Sequence, residues 1–422
     1  GLNIEYFFLK DALDRLQIEP QIFYAGKYKS ATEPFRTNHM TAENRLQTTV
    51  WLTNIYRRLL EHVSIARHID TSLLASYADS LSVRTPADAL NFKFVDGLKY
   101  DDEVKDEIKK KLGLTTTDKT NFISINKYAR AASFRESGDE TIALIYAEGD
   151  IVDGRSDQPR IIASETYVNM IRKARLDPSV KAIVFRVNSG GGSSLASENI
   201  WRELSVTRRS KPVVVSFGDV AASGGYYISC EADSIFADAT TITGSIGVFG
   251  IIPNLQNFFK NKIGVTFDGV KTAQNADAGF FRPLNEMQKH VLQNSIELTY
   301  RQFKQRVADG RKRDTAYVES IAQGRVWTAD DGLRLGLVDR LGGLQQAVAC
   351  AAKLAKTASY HLREYPEPEN ILQRLLHSPG NFSKEMEKTV GPETYQVMQQ
   401  AAKVRDMTTG IQARLPFSFI VR

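Results

Sequence analysis

The chain has 422 residues, enough for two domains, and its 42% hydrophobic and 25% charged residues are those of an ordinary soluble globular protein. Its 55 Lys+Arg against 49 Asp+Glu leave a net charge of +6 that is scattered, the densest run being Lys109-Lys110-Lys111, so no nucleic-acid-binding stripe is indicated. Two cysteines, Cys230 and Cys350, exclude a disulfide scaffold without deciding whether they pair, and with the six histidines they make no zinc pattern, so neither a metal nor a cofactor is called for.

No run reaches the ~18 apolar residues of a membrane span. No signal peptide opens the chain, which begins with Gly1 rather than Met. In chain order, the first helical spacing is Leu52, Ile55, Tyr56, Leu59 and Val63. The polar stretch Leu114 to Glu140 reads as a connector. Beyond it, Thr141 to Ile151 is an apolar strand, and Ser164 to Asp177 a helix with Ser164 as its N-cap. Lys181 to Gly192 is a buried strand ending in a glycine turn. Ala196 to Ser210 is a helix, Lys211 to Gly218 another buried strand, and "GYYISCEA" a further helical stretch. Asp233 to Asp238 closes the run. Strand alternating with helix predicts an α/β fold with parallel pairing. A second apolar helical stripe follows at Leu292, Ile296, Tyr300, Phe303 and Val307.

The chain also repeats itself. "FVDGL" (Phe94 to Leu98) recurs as "LVDRL" (Leu337 to Leu341), a shift of 337−94 = 243. "RTPADAL" (Arg84 to Leu90) meets "WTADDGL" (Trp327 to Leu333) at the same shift, and "GKYKSA" (Gly26 to Ala31) meets "GVKTAQ" (Gly269 to Gln274). "IYRRLLEHV" (Ile55 to Val63) meets "TYRQFKQRV" (Thr299 to Val307) at 244. Four pairs in order at a nearly constant offset point to duplication. Copy two opens near Thr141, so the same offset would start copy one about 100 residues before Gly1. A longer parent protein is therefore expected.

Ser223 stands in "SFGDVAASGGYYISC", just after a predicted strand and before a helical stretch. A serine there has its hydroxyl at the end of the sheet, beside unpaired helical N–H groups that can hold an oxyanion. The plain alternative is a helix N-cap among tight glycine turns. A second glycine turn, Asn188 to Ser193, can add an N–H from Gly191 or Gly192. "AASGG" is not the G-x-S-x-G elbow, because Ala221 fills the first glycine position. His39, His62, His68, His290, His361 and His377 are available for a triad, but none sits in a catalytic-looking turn. A lysine made neutral by burial can replace histidine. Lys27 and Lys29 are candidates, and in an extended segment they would share a face.

The motifs "GKYKSATEPF", "VKAIVFRVNSGGGS", "KPVVVSFGDVAASGGYYIS", "TITGSIGVFG" and "QGRVWTADDGLRLGLVD" together resemble the signal peptide peptidase A (protease IV) family, in its long tandem bacterial form. The resemblance runs from Gly1 to about Ala355. It implies tandem Clp protease/crotonase-like domains (a ββα superhelix), the first truncated at its N-terminus. It implies Ser223 as nucleophile, Lys29 as general base, Ser245 as the hydroxyl bonded to that lysine, and Gly191, Gly192 and Gly224 as oxyanion contacts. Where the family often has proline after "NS", this chain has Gly190.

At the repeat offset Lys29 meets Thr272 (29+243 = 272), although a one-residue slip would bring up Lys271. One site would thus be assembled across two repeats. The expected division is 1–113 for the lysine-bearing repeat, 114–140 for the connector, 141–355 for the serine-bearing repeat and 356–422 for an extension. The resemblance further implies peptide substrates left from signal peptides, an N-terminal membrane anchor outside this chain and a homo-tetramer. It places the catalytic part on the periplasmic side of a bacterial inner membrane. Two rivals remain at this stage: an acyl-CoA enzyme of the same fold, and a non-catalytic scaffold that binds membrane proteins.

Overall fold

In the computed structural model, residues 1–125, 127–128, 138–366 and 410–415 are described. The chain forms two compact units, one of residues 1–4 and 52–136 and the other of residues 5–51 and 137–422. The predicted connector lies partly, and the predicted extension mostly, outside the described residues. Among the described residues no helix is long and apolar enough to cross a membrane.

In the first unit, short helices Thr71–Asp79, Pro86–Asn91 and Asp101–Lys111 follow one another. The Tyr77 and Phe92 rings pack at 4.5 Å.

The second unit starts with helix Lys10–Leu16, β1 (Glu19–Ala25) and the first part of helix Ala42–Arg67. Its strands then follow as β2 (Glu140–Glu148), β3 (Asp150–Val152), β4 (Ile161–Ala163), β5 (Val180–Ser189), β6 (Gly191–Ser193), β7 (Val213–Ala222), β8 (Ser234–Ala237), β9 (Ile242–Gly244), β10 (Val248–Asn254), β11 (Val326–Thr328), β12 (Arg340–Leu341), β13 (Tyr360–Tyr365) and β14 (Gln412–Arg414). They form two sheets, one in the order β11-β9-β7-β5-β2-β13 and the other in the order β1-β10-β14-β6-β3-β4. The predicted strand Thr141 to Ile151 is broken at Gly149. There φ is +105°, and a Cβ would lie 1.7 Å from the Arg160 carbonyl oxygen, so only glycine turns the chain into β3. Each of β2 and β5 passes into a short strand of the other sheet and then a helix (Ser164–Leu176, Ser194–Arg208). This is the Clp protease/crotonase-like α/β arrangement.

β13, β2, β5 and β7 pair in parallel, and β7 forks. Its first half pairs with β8 and its last three residues pair with β9. Alternation along β2 and β5 sends Ala143, Ile145, Ile183 and Phe185 to one core, and Ile142, Leu144, Ala182 and Val184 to the other. The second core is closed by Ala347, Val348, Ala351 and Ala352 of helix Leu344–Ala355. Each fully buried valine or isoleucine side chain contributes roughly 1.5–3 kcal/mol. A sheet buried on both faces is what the near-continuous apolar runs predict.

Three local expectations change. Ser164 is the first helical residue rather than the cap, and its Oγ accepts from Gly154 N (3.2 Å). The next helix starts two residues before Ala196, because Ser193 Oγ caps it by accepting from Ala196 N (3.2 Å). Of "GYYISCEA", only Gly225 to Tyr227 belongs to an α-helix, Gly224–Tyr227. The duplication has a structural counterpart. Helices Ala42–Arg67 and Glu286–Arg311 are both 26 residues long, at an offset of 286−42 = 244. Backbone bonds Phe94 N→Ala89 O and Val95 N→Ala89 O recur as Leu337 N→Gly332 O and Val338 N→Gly332 O, at 337−94 = 243.

Candidate active site

Ser223 leaves β7 with φ +54°, outside the range most side chains adopt, and is the residue before helix Gly224–Tyr227. Its Oγ makes no helix-capping bond, so the N-cap alternative does not hold. Two backbone bonds fix the conformation: Ser223 N donates to Gly244 O (2.8 Å), and Tyr227 N donates to Ser223 O (2.8 Å). Upstream, the register of β5 on β7 shifts between Val187 and Ser189, and Gly218 sits against the Asn188 side chain. The end of β7 is thereby placed beside the glycine turn that follows β5.

Lys29 comes from a turn rather than an extended segment. Gly26 has φ +102°, and Lys29 N donates to Gly26 O (3.0 Å). The turn separates the two lysines: Lys27 lies on the surface with Nζ 5.3 Å from the Tyr28 ring centroid, while Lys29 is 1% exposed. Lys29 Nζ is 2.8 Å from Ser223 Oγ, 3.1 Å from Ser245 Oγ and 3.2 Å from the Ser245 carbonyl oxygen. Burial lowers its pKa from 10.5 to about 7, because the ammonium loses its hydration. A neutral amine has two N–H groups and one lone pair. The two Ser245 oxygens can take the former, which leaves the lone pair for the Ser223 hydroxyl proton.

Ser245 also has positive φ (+49°) and is tied by its N–H to Arg325 O (2.7 Å). The Lys29 turn is held to the same segment, since Tyr28 N donates to Gln323 O (2.9 Å). Gly324 packs on it, and a Cβ there would lie 2.7 Å from the N, Cα and Cβ of Lys29. Gln47 joins the pieces. Its Nε2 donates to Tyr28 O and Ser30 Oγ (both 3.1 Å), and its Oε1 accepts from Val326 N (3.0 Å). Sequence reasoning assigned no role to Gln47 or Gly324, although Gly324 lies in the quoted "QGRVW". A lone glutamine on a helix carries no pattern that marks it.

The three predicted glycines meet the site from β6 and the short helix. Gly191 has φ +101°, and a Cβ on it would fall 2.7 Å from Gly224 N. Gly191 N donates to Ser189 Oγ (3.1 Å). Gly192 pairs with Ile151 on one side and Ala413 on the other. Of the histidines, His39 bonds Asn38, His290 bonds Asn294, and His361 bonds Thr141 and Gly138. His377 lies outside the described residues. Thr272 is exposed, and neighbouring Lys271 is a surface residue paired with Asp277 at 3.0 Å. Cys230 and Cys350 are both free thiols; the first is buried, which pushes its pKa up.

Residues 1–115 and 206–358 match peptidase family S49. "Protease 4" of Salmonella typhi is 39% identical over 417 residues, covering 97% of this chain and 66% of its own length. "Protease 4" of Haemophilus influenzae is 38% identical, over 84% of this chain and 59% of its own. "Serine protease SPPA, chloroplastic" of Arabidopsis thaliana is 31% identical, over 98% and 61%. The chain thus spans 59–66% of the length of these curated relatives.

Proposed function

The chain belongs to peptidase family S49, and from that membership and its buried lysine–serine pair we propose that it is a serine endopeptidase with a Ser223/Lys29 dyad. The observation that carries the reading is the 2.8 Å approach of Nζ to Oγ in a setting that brings the lysine to about 7. Neutral Lys29 takes the Ser223 proton as Oγ bonds to the peptide carbonyl carbon. The Gly224 N–H at the helix start holds the oxyanion, with Gly192 on β6 as the second donor. Gly191 leaves room for the acyl group, its own N–H being held by Ser189. When the C–N bond breaks, the Lys29 ammonium gives its proton to the leaving amine. Water, deprotonated by Lys29, then releases the acyl group from Oγ. Ser245 orients Nζ throughout.

The finer reading is that the substrates are signal-peptide remnants, met by a membrane-anchored homo-oligomer on the periplasmic face of a bacterial inner membrane. It rests on the motif resemblance. An acyl-CoA enzyme of the same fold has no use for a buried neutral lysine beside a serine, which favours peptide hydrolysis. Turnover of a fluorogenic peptide by wild type, and its loss in Ser223→Ala with unchanged circular dichroism, is the expected result. Wild-type turnover by Ser223→Ala would reject the nucleophile.

A further inference from the structure

The two oxyanion donors proposed for the site stand on separate elements, Gly192 on β6 and Gly224 on helix Gly224–Tyr227. That helix has four residues, too few to hold its shape alone, so its neighbours set where the Gly224 N–H points. Ser223 is anchored from the strand side, through Gly244 O. The far end is anchored by Tyr227, whose hydroxyl donates to Glu198 Oε2 at 2.6 Å. Glu198 stands on helix Ser194–Arg208, which continues directly from β6, and its other oxygen accepts from Arg306 Nη2 at 2.7 Å. The Arg306 guanidinium lies 4.0 Å from the Trp201 ring, and the Tyr227 ring packs on Phe303 at 4.5 Å between centroids. Glu198 and Trp201, like Phe303 and Arg306, are three residues apart and so share a helix face. Gly310, further along the Arg306 helix, comes so close to the chain after Tyr227 that a Cβ on it would lie 2.3 Å from Cys230 O. One ion pair and one phenol thus join the elements that carry both donors.

We infer that Glu198, held by Arg306, is a positioning residue for the oxyanion site: through Tyr227 it fixes the Gly224 N–H relative to the Gly192 N–H. The inference rests on the proposed peptidase reading. Two donors stabilise one oxygen only when both converge on the place it takes in the transition state. The Tyr227 hydroxyl is bonded to Glu198, not to a reacting atom, and that bond is charge-assisted. Burial, and then the Glu198 carboxylate, push the phenol far above its ordinary range, so it stays a donor throughout an assay's pH range. Lys29 is outside this clamp, since its bonds run to Ser223 and Ser245. Loss of the clamp should therefore weaken oxyanion binding and leave the titration of the base where it is.

The test uses the full chain. Tyr227→Phe keeps the ring on Phe303 and removes only the hydroxyl. On a fluorogenic peptide its kcat should fall roughly tenfold with KM little changed, less than the ~100-fold or more lost when an oxyanion donor is removed outright. A peptide aldehyde, which adds to Ser223 Oγ as a tetrahedral oxyanion while the hydroxyl proton passes to Lys29, should bind more weakly by the same factor. The midpoint of the pH profile of kcat/KM should stay in place. Glu198→Leu should give the same three results, and the double variant should be no worse than the poorer single one, because both cut one bond. A kcat within twofold of wild type in a folded Tyr227→Phe protein overturns the inference. So does a loss of kcat with unchanged aldehyde affinity or with a moved pH midpoint, either of which puts the effect elsewhere. Amide exchange separates the clamp from the peptidase reading, because it needs no turnover. In the fragment spanning residues 223–230, the Tyr227 and Ile228 N–H groups bond Ser223 O and Gly224 O, and their exchange should quicken about tenfold in Tyr227→Phe with β5 unchanged. Equal exchange in the two proteins overturns the inference whether or not either is active, whereas absence of turnover in wild type speaks only against the peptidase reading.

Discussion

Gly324→Ala tests the proposed base by pressing on the backbone and Cβ of Lys29 while leaving the Lys29 amine and the Ser223 and Ser245 hydroxyls chemically unchanged. At φ +77° the added methyl meets Lys29 N, Cα and Cβ at 2.7 Å, where ordinary contact begins at 3.4 Å. A gap of 3.4−2.7 = 0.7 Å must open. The left-handed conformation costs alanine a further ~1–2 kcal/mol. If the whole shift reaches Nζ, its distance to Ser223 Oγ grows from 2.8 Å to 2.8+0.7 = 3.5 Å, beyond hydrogen-bond reach. Because a misplacement of about 1 Å can lower a rate on the order of 100-fold, kcat should drop roughly 10- to 100-fold. The assay is steady-state hydrolysis of a fluorogenic peptide, with circular dichroism and thermal melting as folding controls. A folded Gly324→Ala protein with kcat within twofold of wild type refutes the claim that this contact sets the lysine.

Lys27→Ala should keep nearly full kcat/KM, whereas Lys29→Arg should lose activity because guanidinium stays protonated; the opposite pattern moves the base to Lys27. Ser245→Ala removes one of the two oxygens that orient Nζ and keeps the carbonyl, so kcat should fall about tenfold with KM little changed, a readout of proton transfer rather than binding. Gln47→Leu leaves Val326 N without its side-chain acceptor and Tyr28 O without its side-chain donor, at about 1–3 kcal/mol for each buried unsatisfied group. A lower melting temperature together with lower kcat is expected, and an unchanged melt would remove Gln47 from the scaffold.

Much of the candidate site was legible because it is local. Ser223 at the end of an apolar run, the glycines after Asn188, and "TGSIG" each mark a turn by composition alone. Parallel strands buried on both faces read as unbroken apolar stretches, so β2, β5 and β7 were visible with only their ends misjudged. Gly149 ends β2 early, and Ser193 caps a helix two residues sooner than apolar spacing suggests. Lys29 against Lys27 could not be separated by periodicity, because the segment is a turn held by Gly26 and Gln323, partners nearly 300 residues apart in the chain. The family resemblance of "GKYKSATEPF", not periodicity, singled out Lys29. The stretch after Ala355 showed no recognisable chemistry, yet β14 pairs with Gly191 and Gly192. A short strand that completes another sheet has no signature of its own; its meaning comes wholly from its neighbours.

The central claim is that burial makes Lys29 the base, and the pH dependence of wild-type kcat/KM on a peptide without ionisable side chains tests it most directly. With the lysine at about 7, roughly 1% of the enzyme carries a neutral Nζ at pH 5, half at pH 7 and nearly all at pH 9. The rate should therefore climb about tenfold per pH unit below 7 and level off above it, because the neutral form is the active one. A profile that stays flat from pH 5 to 9, or that falls as pH rises through 7, would contradict the assignment.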